Sequence, residues 1–200
     1  IFDECTSGFR ETFGGLHKKY GVEPDIAMFG KALGNGYGIT AIIGRREVME
    51  AAQSTFISST FWTERIGPTA ALKTLEVMER VESWGAITQI GILILKGWKL
   101  LADENGLEID TWGLPSLAGF NIKSANALAY KTFITQEMLR KGYLASNTVY
   151  ACTEHTSDII EGYLDALSSI FGLIKECEEG RDIMELLNGP ICHSGFKRLN

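Results

Sequence analysis

The sequence has little that would tie it to a metal, a membrane, a nucleic acid or an oxidising compartment. Its four cysteines, Cys5, Cys152, Cys177 and Cys192, form no CxxC pair and no disulfide-like spacing, which fits reduced thiols in a cytoplasm. The three histidines, His17, His155 and His193, stand far apart and at no metal-ligand spacing from the cysteines, so no zinc site is expected. Cys192-His193 sets a thiol beside an imidazole, but adjacent side chains seldom face each other productively and no orienting acid accompanies them. No signal peptide is visible. The longest apolar stretch, Ile90 to Leu95, contains Gly91 and stops at Lys96, far short of a membrane span. Net charge is −6 and the basic residues are scattered, which gives nucleic-acid binding no electrostatic support. There is no internal repeat and no low-complexity segment. What remains is a soluble-type composition, 45% hydrophobic over 200 residues, enough for a substantial core.

Two nucleotide motifs are missing as well. Gly30-Lys31 is followed by Ala32 rather than Ser or Thr, and Asp25 stands where a phosphate loop needs its first glycine. Gly34, Gly36 and Gly38 have the wrong spacing for a dinucleotide fingerprint. The glycines instead surround a lysine. Ile1-Phe2-Asp3-Glu4 and Pro24-Asp25-Ile26-Ala27-Met28-Phe29-Gly30-Lys31 are apolar, strand-like runs. Each ends in an ionisable residue before a glycine-rich turn. A buried carboxylate and a buried amine presented this way suit pyridoxal phosphate (PLP) chemistry. The amine forms a Schiff base, and the carboxylate pairs with the protonated pyridine nitrogen. A strand-terminal aspartate and an ordinary surface lysine would give the same pattern. Downstream, Ile39-Thr40-Ala41-Ile42-Ile43-Gly44 reads as a buried strand, and Arg45-Arg46-Glu47-Val48-Met49 opens a helix.

Several motifs follow one another in a specific order: Asp3-Glu4-Cys5-Thr6-Ser7-Gly8-Phe9-Arg10, Tyr20-Gly21-Val22-Glu23-Pro24-Asp25, Gly30-Lys31-Ala32-Leu33-Gly34, Gly44-Arg45-Arg46-Glu47-Val48-Met49 and Ser59-Thr60-Phe61. In order and spacing they resemble the class III aminotransferases, most closely the glutamate-1-semialdehyde aminomutase group. The resemblance continues weakly through Tyr143-Leu144-Ala145-Ser146 and Glu154-His155-Thr156. It implies an α/β fold of the fold type I PLP-transferase kind, a PLP cofactor, and a homodimer with active sites shared at the subunit interface. Carried over by position, Lys31 looks like the Schiff-base lysine and Asp3 like the partner of the pyridine nitrogen. Thr60 matches the threonine that holds the neighbouring subunit's cofactor phosphate. Cys5 falls where the family usually has a valine packed on the ring, a place a small apolar thiol can fill. The chain departs from the pattern at Gly38, where a proline is usual, and at Trp62-Thr63-Glu64-Arg65. Glu64-Arg65 reads either as an ion pair at a helix start or as a substrate-facing pair. Tyr37 either packs or faces the cofactor.

The chain opens with Ile1 inside what reads as a central strand. It is therefore expected to be part of a longer polypeptide whose upstream segments supply the phosphate-binding amides, the aromatic on the other ring face and most of the large domain. Residues 1–81 are expected to be the C-terminal part of the PLP-binding large domain, the remainder of its sheet. Residues 82–200 are expected to be a small C-terminal α+β domain. The first part ends in an amphipathic helix from about Gly67, with Ala71, Leu72, Leu75 and Met78 on its apolar stripe and Val77 off it. The second contains helices near 88–104, 131–141 and 157–177 and strands near 107–111 and 117–122. Asn105-Gly106 and Gly142 act as stop signals, and Thr156 or Ser157 as a cap.

Three functions are compatible with this reading. The first is a PLP-dependent aminotransferase moving an amino group between a small-molecule amino donor and a carbonyl acceptor through a Lys31 Schiff base. The second is glutamate-1-semialdehyde 2,1-aminomutase, an intramolecular transfer. The third is a catalytically inactive fragment contributing only a dimer surface. The cellular setting expected is cytoplasmic, with no nucleic-acid or membrane partner.

Overall fold

The computed structural model describes residues 1–58, 60–61 and 63–195. It divides within one helix into two compact units, Ile1–Thr88 and Gln89–Asn200.

The first unit is built on a three-stranded sheet. Strand β1 (Phe2–Asp3) runs parallel to β2 (Ile26–Phe29), with Asp3 opposite Met28. Strand β3 (Ala41–Gly44) is antiparallel to β2, with Phe29 opposite Ala41. The alternation along β2 follows from the strand's two-residue period: Ala27 and Phe29 are buried with Leu33 and Ala71, while Phe9, Ile39, Ala41 and Leu75 close around them. Phe29 determines what the neighbouring loop can contain. A Cβ on Gly8 would lie 2.7 Å from the Phe29 ring and 2.7 Å from the Glu4 carbonyl, so only glycine fits there. Beyond β3 come a short helix α1 (Arg46–Met49) and a longer helix α2 (Ile66–Val81).

Two expectations fail in this unit. The Ile39–Gly44 run is not a buried strand, because Ile42 and Ile43 are each 57% exposed. An apolar run reads as buried on the assumption of a covered parallel sheet, whereas β3 is antiparallel and, among the described residues of this chain taken alone, pairs with β2 and no other strand. On α2, Ala71 is buried but Leu72 is 70% exposed, so the apolar stripe is narrower than the spacing implies.

Helix α3 (Ser83–Glu104) begins five residues before the sequence places it. Between α2 and α3 only Glu82 leaves the right-handed helical region, with φ +47°. By length and composition α3 could cross a membrane, but Ile94, Trp98, Leu101 and Ala102 belong to the buried core of the second unit. That unit adds β4 (Ile109–Trp112) and β5 (Gly119–Ile122), an antiparallel pair with Thr111 opposite Phe120. Helices α4 (Ala127–Arg140) and α5 (Ser157–Glu178) complete it. Its core is a run of aromatic contacts from Trp98 to Phe120 to Phe171, with centroids 4.7 and 5.8 Å apart. Two polar side chains brought into this core are hydrogen-bonded, as burial favours, while the buried Ser116 Oγ has no partner among the described residues. Trp98 Nε1 donates to the Tyr163 hydroxyl at 2.8 Å, and Asn147 Nδ2 donates to the Phe120 carbonyl at 2.8 Å. The Tyr130 hydroxyl donates to Glu178 at 2.5 Å; burial first, and this carboxylate second, push the phenol up to about 12. Thr156 occupies the N-cap position of α5 by backbone, but its side chain makes no capping bond.

Candidate active site

The parallel pairing of β1 and β2 decides where the ionisable residues go. Both strands point the same way, so the segments leaving their C-terminal ends lie side by side, the usual place for a ligand in an α/β sheet. The first segment carries Cys5 and Thr6, and the second carries Gly30 and Lys31. Asp3 Oδ1 accepts the Cys5 backbone N–H at 3.0 Å, which turns the chain back over the strand end. Lys31 Nζ crosses to the other segment and donates to Thr6 Oγ1 at 2.5 Å. Cys5 also faces the second segment, since a Cβ on Gly30 would lie 3.4 Å from its Sγ. The thiol responds to both flanking charges. Burial raises it first, a hydrogen bond to Asp3 and the Asp3 charge raise it further, and Lys31 opposes them, leaving it above the ordinary cysteine value. Among the described residues no direct ion pair joins Asp3 and Lys31; each is held by a neutral partner.

Lys31 sits at φ +43°. A side chain with a Cβ is uncommon in this left-handed region and costs about 1–3 kcal/mol to hold there, which is how functional positions often stand out.

In this chain taken alone Asp3 and Lys31 are exposed, not buried as their flanking runs imply. Alternation along β1 sends Asp3 and Glu4 to opposite faces. The buried carboxylate is Glu4, at 4% exposure. It accepts the Ser7 hydroxyl, and its Oε1 takes both the His17 backbone N–H and His17 Nδ1, each at 3.0 Å. Burial alone would raise this carboxyl. The hydrogen bonds from Ser7, the His17 and Leu16 backbone and the His17 ring outweigh burial and bring it below a glutamate's ordinary value. The loop from residue 4 to 17 is thereby tied to one anchor, and it is the loop that presents Cys5 and Thr6.

Sequence reasoning missed Thr6, Glu4, Ser7 and His17 as parts of the site. Strand alternation after Asp3 would have flagged Glu4, but no sequence signal pairs it with His17 thirteen residues on. Thr60 is exposed and makes no hydrogen bond to Asp3, Cys5 or Lys31 among the described residues; its neighbours Ser59 and Trp62 lie outside the described residues. Tyr37 is 59% exposed. Glu64 does not pair with Arg65. Its carboxylate accepts the N–H groups of Ile66 and, at 3.1 Å, Gly67, so it closes the start of α2, where free N–H groups favour an anion.

A groove of about 830 Å³ lies elsewhere, within Gln89–Asn200, lined by Tyr143, Leu144, Ala145, Ser146 and His155 among others. Its lining brings together no amine and carboxylate. His155 Nδ1 is already an acceptor, for the Cys152 N–H at 3.3 Å. The β1–β2 end has the better chemistry. A primary amine, a carboxylate and a small thiol side chain at adjacent strand ends, with glycine between, fit a flat aldehyde cofactor with a basic ring nitrogen.

Comparison with known proteins points the same way. A family model described as aminotransferase class III matches residues 1–149. The chain is 32% identical over 182 residues to a 3-aminobutyryl-CoA aminotransferase of Cloacimonas acidaminovorans (strain Evry), covering 88% of this chain and 44% of that protein. It is 27% identical over 176 residues to 2'-deamino-2'-hydroxyneamine transaminase of Streptomyces kanamyceticus, covering 85% of this chain and 44% of that one. Among solved structures it resembles the PLP internal aldimine form of the FumI protein of Sphingopyxis sp. MTA144, with TM-score 0.81 and 21% identity over 92% of this chain and 45% of that one. The chain thus spans less than half the length of the relatives it matches, and it shares their fold type I architecture.

Proposed function

The chain belongs to the class III aminotransferase family, and we propose that the protein containing it is a PLP-dependent aminotransferase that moves an amino group between an amino donor and a carbonyl acceptor. The observation that supports this reading is the placing of Asp3 and Lys31 at and just beyond the C-terminal ends of adjacent parallel strands, with Lys31 in a left-handed conformation. On the same reading, residues 1–81 are the later part of the large cofactor domain and residues 82–200 the small domain. The four free thiols fit a reducing, cytoplasmic setting.

When bound, PLP supplies an aldehyde for an amine to condense with and a ring that accepts an electron pair. Lys31 holds the cofactor through its amine. Once displaced by the donor's amine, the lysine is the general base that takes the α-proton and the acid that returns one. Asp3 keeps the ring nitrogen protonated through its negative charge. Cys5 packs on a ring face in the place of an apolar side chain. Thr60 serves a phosphate of the neighbouring subunit in a homodimer. The divergent Trp62–Arg65 stretch is a candidate for setting the donor's identity.

Asp3→Asn in the full-length protein tests the reading. Cofactor binding should persist while turnover falls on the order of a thousandfold, about 4 kcal/mol of barrier. Near-normal turnover would remove Asp3 from the mechanism. Product analysis on the unaltered protein separates two-substrate transfer from an aminomutase, which returns the nitrogen within a single substrate.

A further inference from the structure

The hydrogen bond from Lys31 to Thr6 is a contact at the strand ends to which the sequence assigns no purpose. An exposed lysine normally samples many rotamers, and holding it in one has an entropic cost. Here two features act together to fix it. The backbone at Lys31 is turned into the left-handed region, at φ +43°, and the amine ends on Thr6 Oγ1 at 2.5 Å. The partner's chemistry is also specific. Asp3, the nearby carboxylate, is engaged by the Cys5 N–H at 3.0 Å, so the amine meets a neutral hydroxyl. A carboxylate would hold the amine as a charged ammonium and oppose its use as a nucleophile or base. A hydroxyl accepts the amine's proton-bearing side while imposing no charge, and releases it more easily.

We propose that Thr6 is a positioning residue whose hydroxyl is the resting partner of the Lys31 amine whenever that amine is free, keeping it at the β1–β2 strand end for condensation and for proton transfer. This rests on Lys31 being the cofactor lysine. The Thr6 methyl has no part in it, so Ser should replace Thr and Val should not, although Val has the same shape.

The test is competitive labelling of lysines with isotopically paired acetic anhydride in the cofactor-free, full-length protein. The Lys31 rate is read against the other lysines. Thr6→Val should label Lys31 about three- to tenfold faster, the release expected on losing one hydrogen bond to an amine, and Thr6→Ser should match the unaltered protein. Should Thr6→Val misfold, seen as faster labelling at every lysine, Thr6→Ala carries the same expectation. Equal Lys31 rates in all variants, or a rise in Thr6→Ser without one in Thr6→Val, would overturn the proposal. Repeating the labelling with PLP separates the two claims. If PLP fails to protect Lys31 in the unaltered protein, the functional reading falls. If PLP protects Lys31 but the Val and Ser variants agree, only the role of Thr6 falls.

Discussion

Replacing Glu4 by Gln should loosen the loop that carries Cys5 and Thr6 without touching the reacting groups. Glu4 is 4% exposed and takes three hydrogen bonds, from the Ser7 hydroxyl and from the backbone and ring of His17. Glutamine keeps the shape, its amide oxygen can still accept from His17 and its NH2 group can donate to the Ser7 hydroxyl oxygen, so what is lost is the charge. Hydrogen bonds to a charged acceptor contribute about 1.5–3 kcal/mol each, against about 0.5–1.5 kcal/mol for neutral ones. That difference, less the smaller burial penalty of the neutral amide, gives an expected loss of about 2 kcal/mol, or about 30-fold in the local opening equilibrium. Hydrogen exchange over peptides spanning residues 4–17 reads this directly. The pH dependence has a definite sign. The native carboxyl lies below its ordinary value of 4.5, so its contribution is fully present above that value and disappears as pH falls through the lower native one. The difference between Glu4→Gln and the unaltered protein should therefore be full at pH 7 and shrink steadily below pH 4.5. Equal exchange at pH 7, or a difference that grows on acidification, would refute the role assigned to Glu4.

Two further substitutions test the packing and the helix start. Gly91→Ala should destabilise the second unit by about 1–3 kcal/mol, reversing the usual helical gain from alanine, because the new Cβ would meet the Pro115 carbonyl oxygen at 1.9 Å; an unchanged or raised melting temperature would contradict this. Glu64→Ala should cost about 1 kcal/mol in denaturant unfolding through loss of the α2 cap; unchanged stability with a raised KM would return Glu64 to the substrate-facing role.

The parts of this molecule legible in its sequence are those written in local pattern. The apolar run Ile26–Phe29, the stop at Asn105-Gly106 and the long periodic stretch of α5 each encode their element within a few residues. Asp3 and Lys31 stand out as ionisable residues at the ends of apolar runs, motif order supplies their roles, and parallel pairing of the two runs brings the strand ends that carry them side by side. Burial was less legible, because it depends on neighbours in space. Asp3 and Glu4 differ by one position in a strand and so by a whole face. Ile42 and Ile43 are apolar yet exposed in this chain taken alone. The Glu4–His17 pair and the Lys31–Thr6 bond join residues 13 and 25 positions apart, and no periodicity carries that information. The start of α3 was misplaced for a smaller reason: one residue, Glu82, turns left-handed and helix resumes at once.

The central claim is that Lys31 is the residue that holds the cofactor. The most direct measurement is borohydride reduction of the full-length protein incubated with PLP, followed by peptide mapping, in the unaltered protein and in Lys31→Ala. The account predicts that the reduced cofactor is attached to the peptide containing Lys31, and that the variant loses both this attachment and the visible absorption band. Stoichiometric attachment to any other lysine, or trapping that persists in Lys31→Ala, would contradict it.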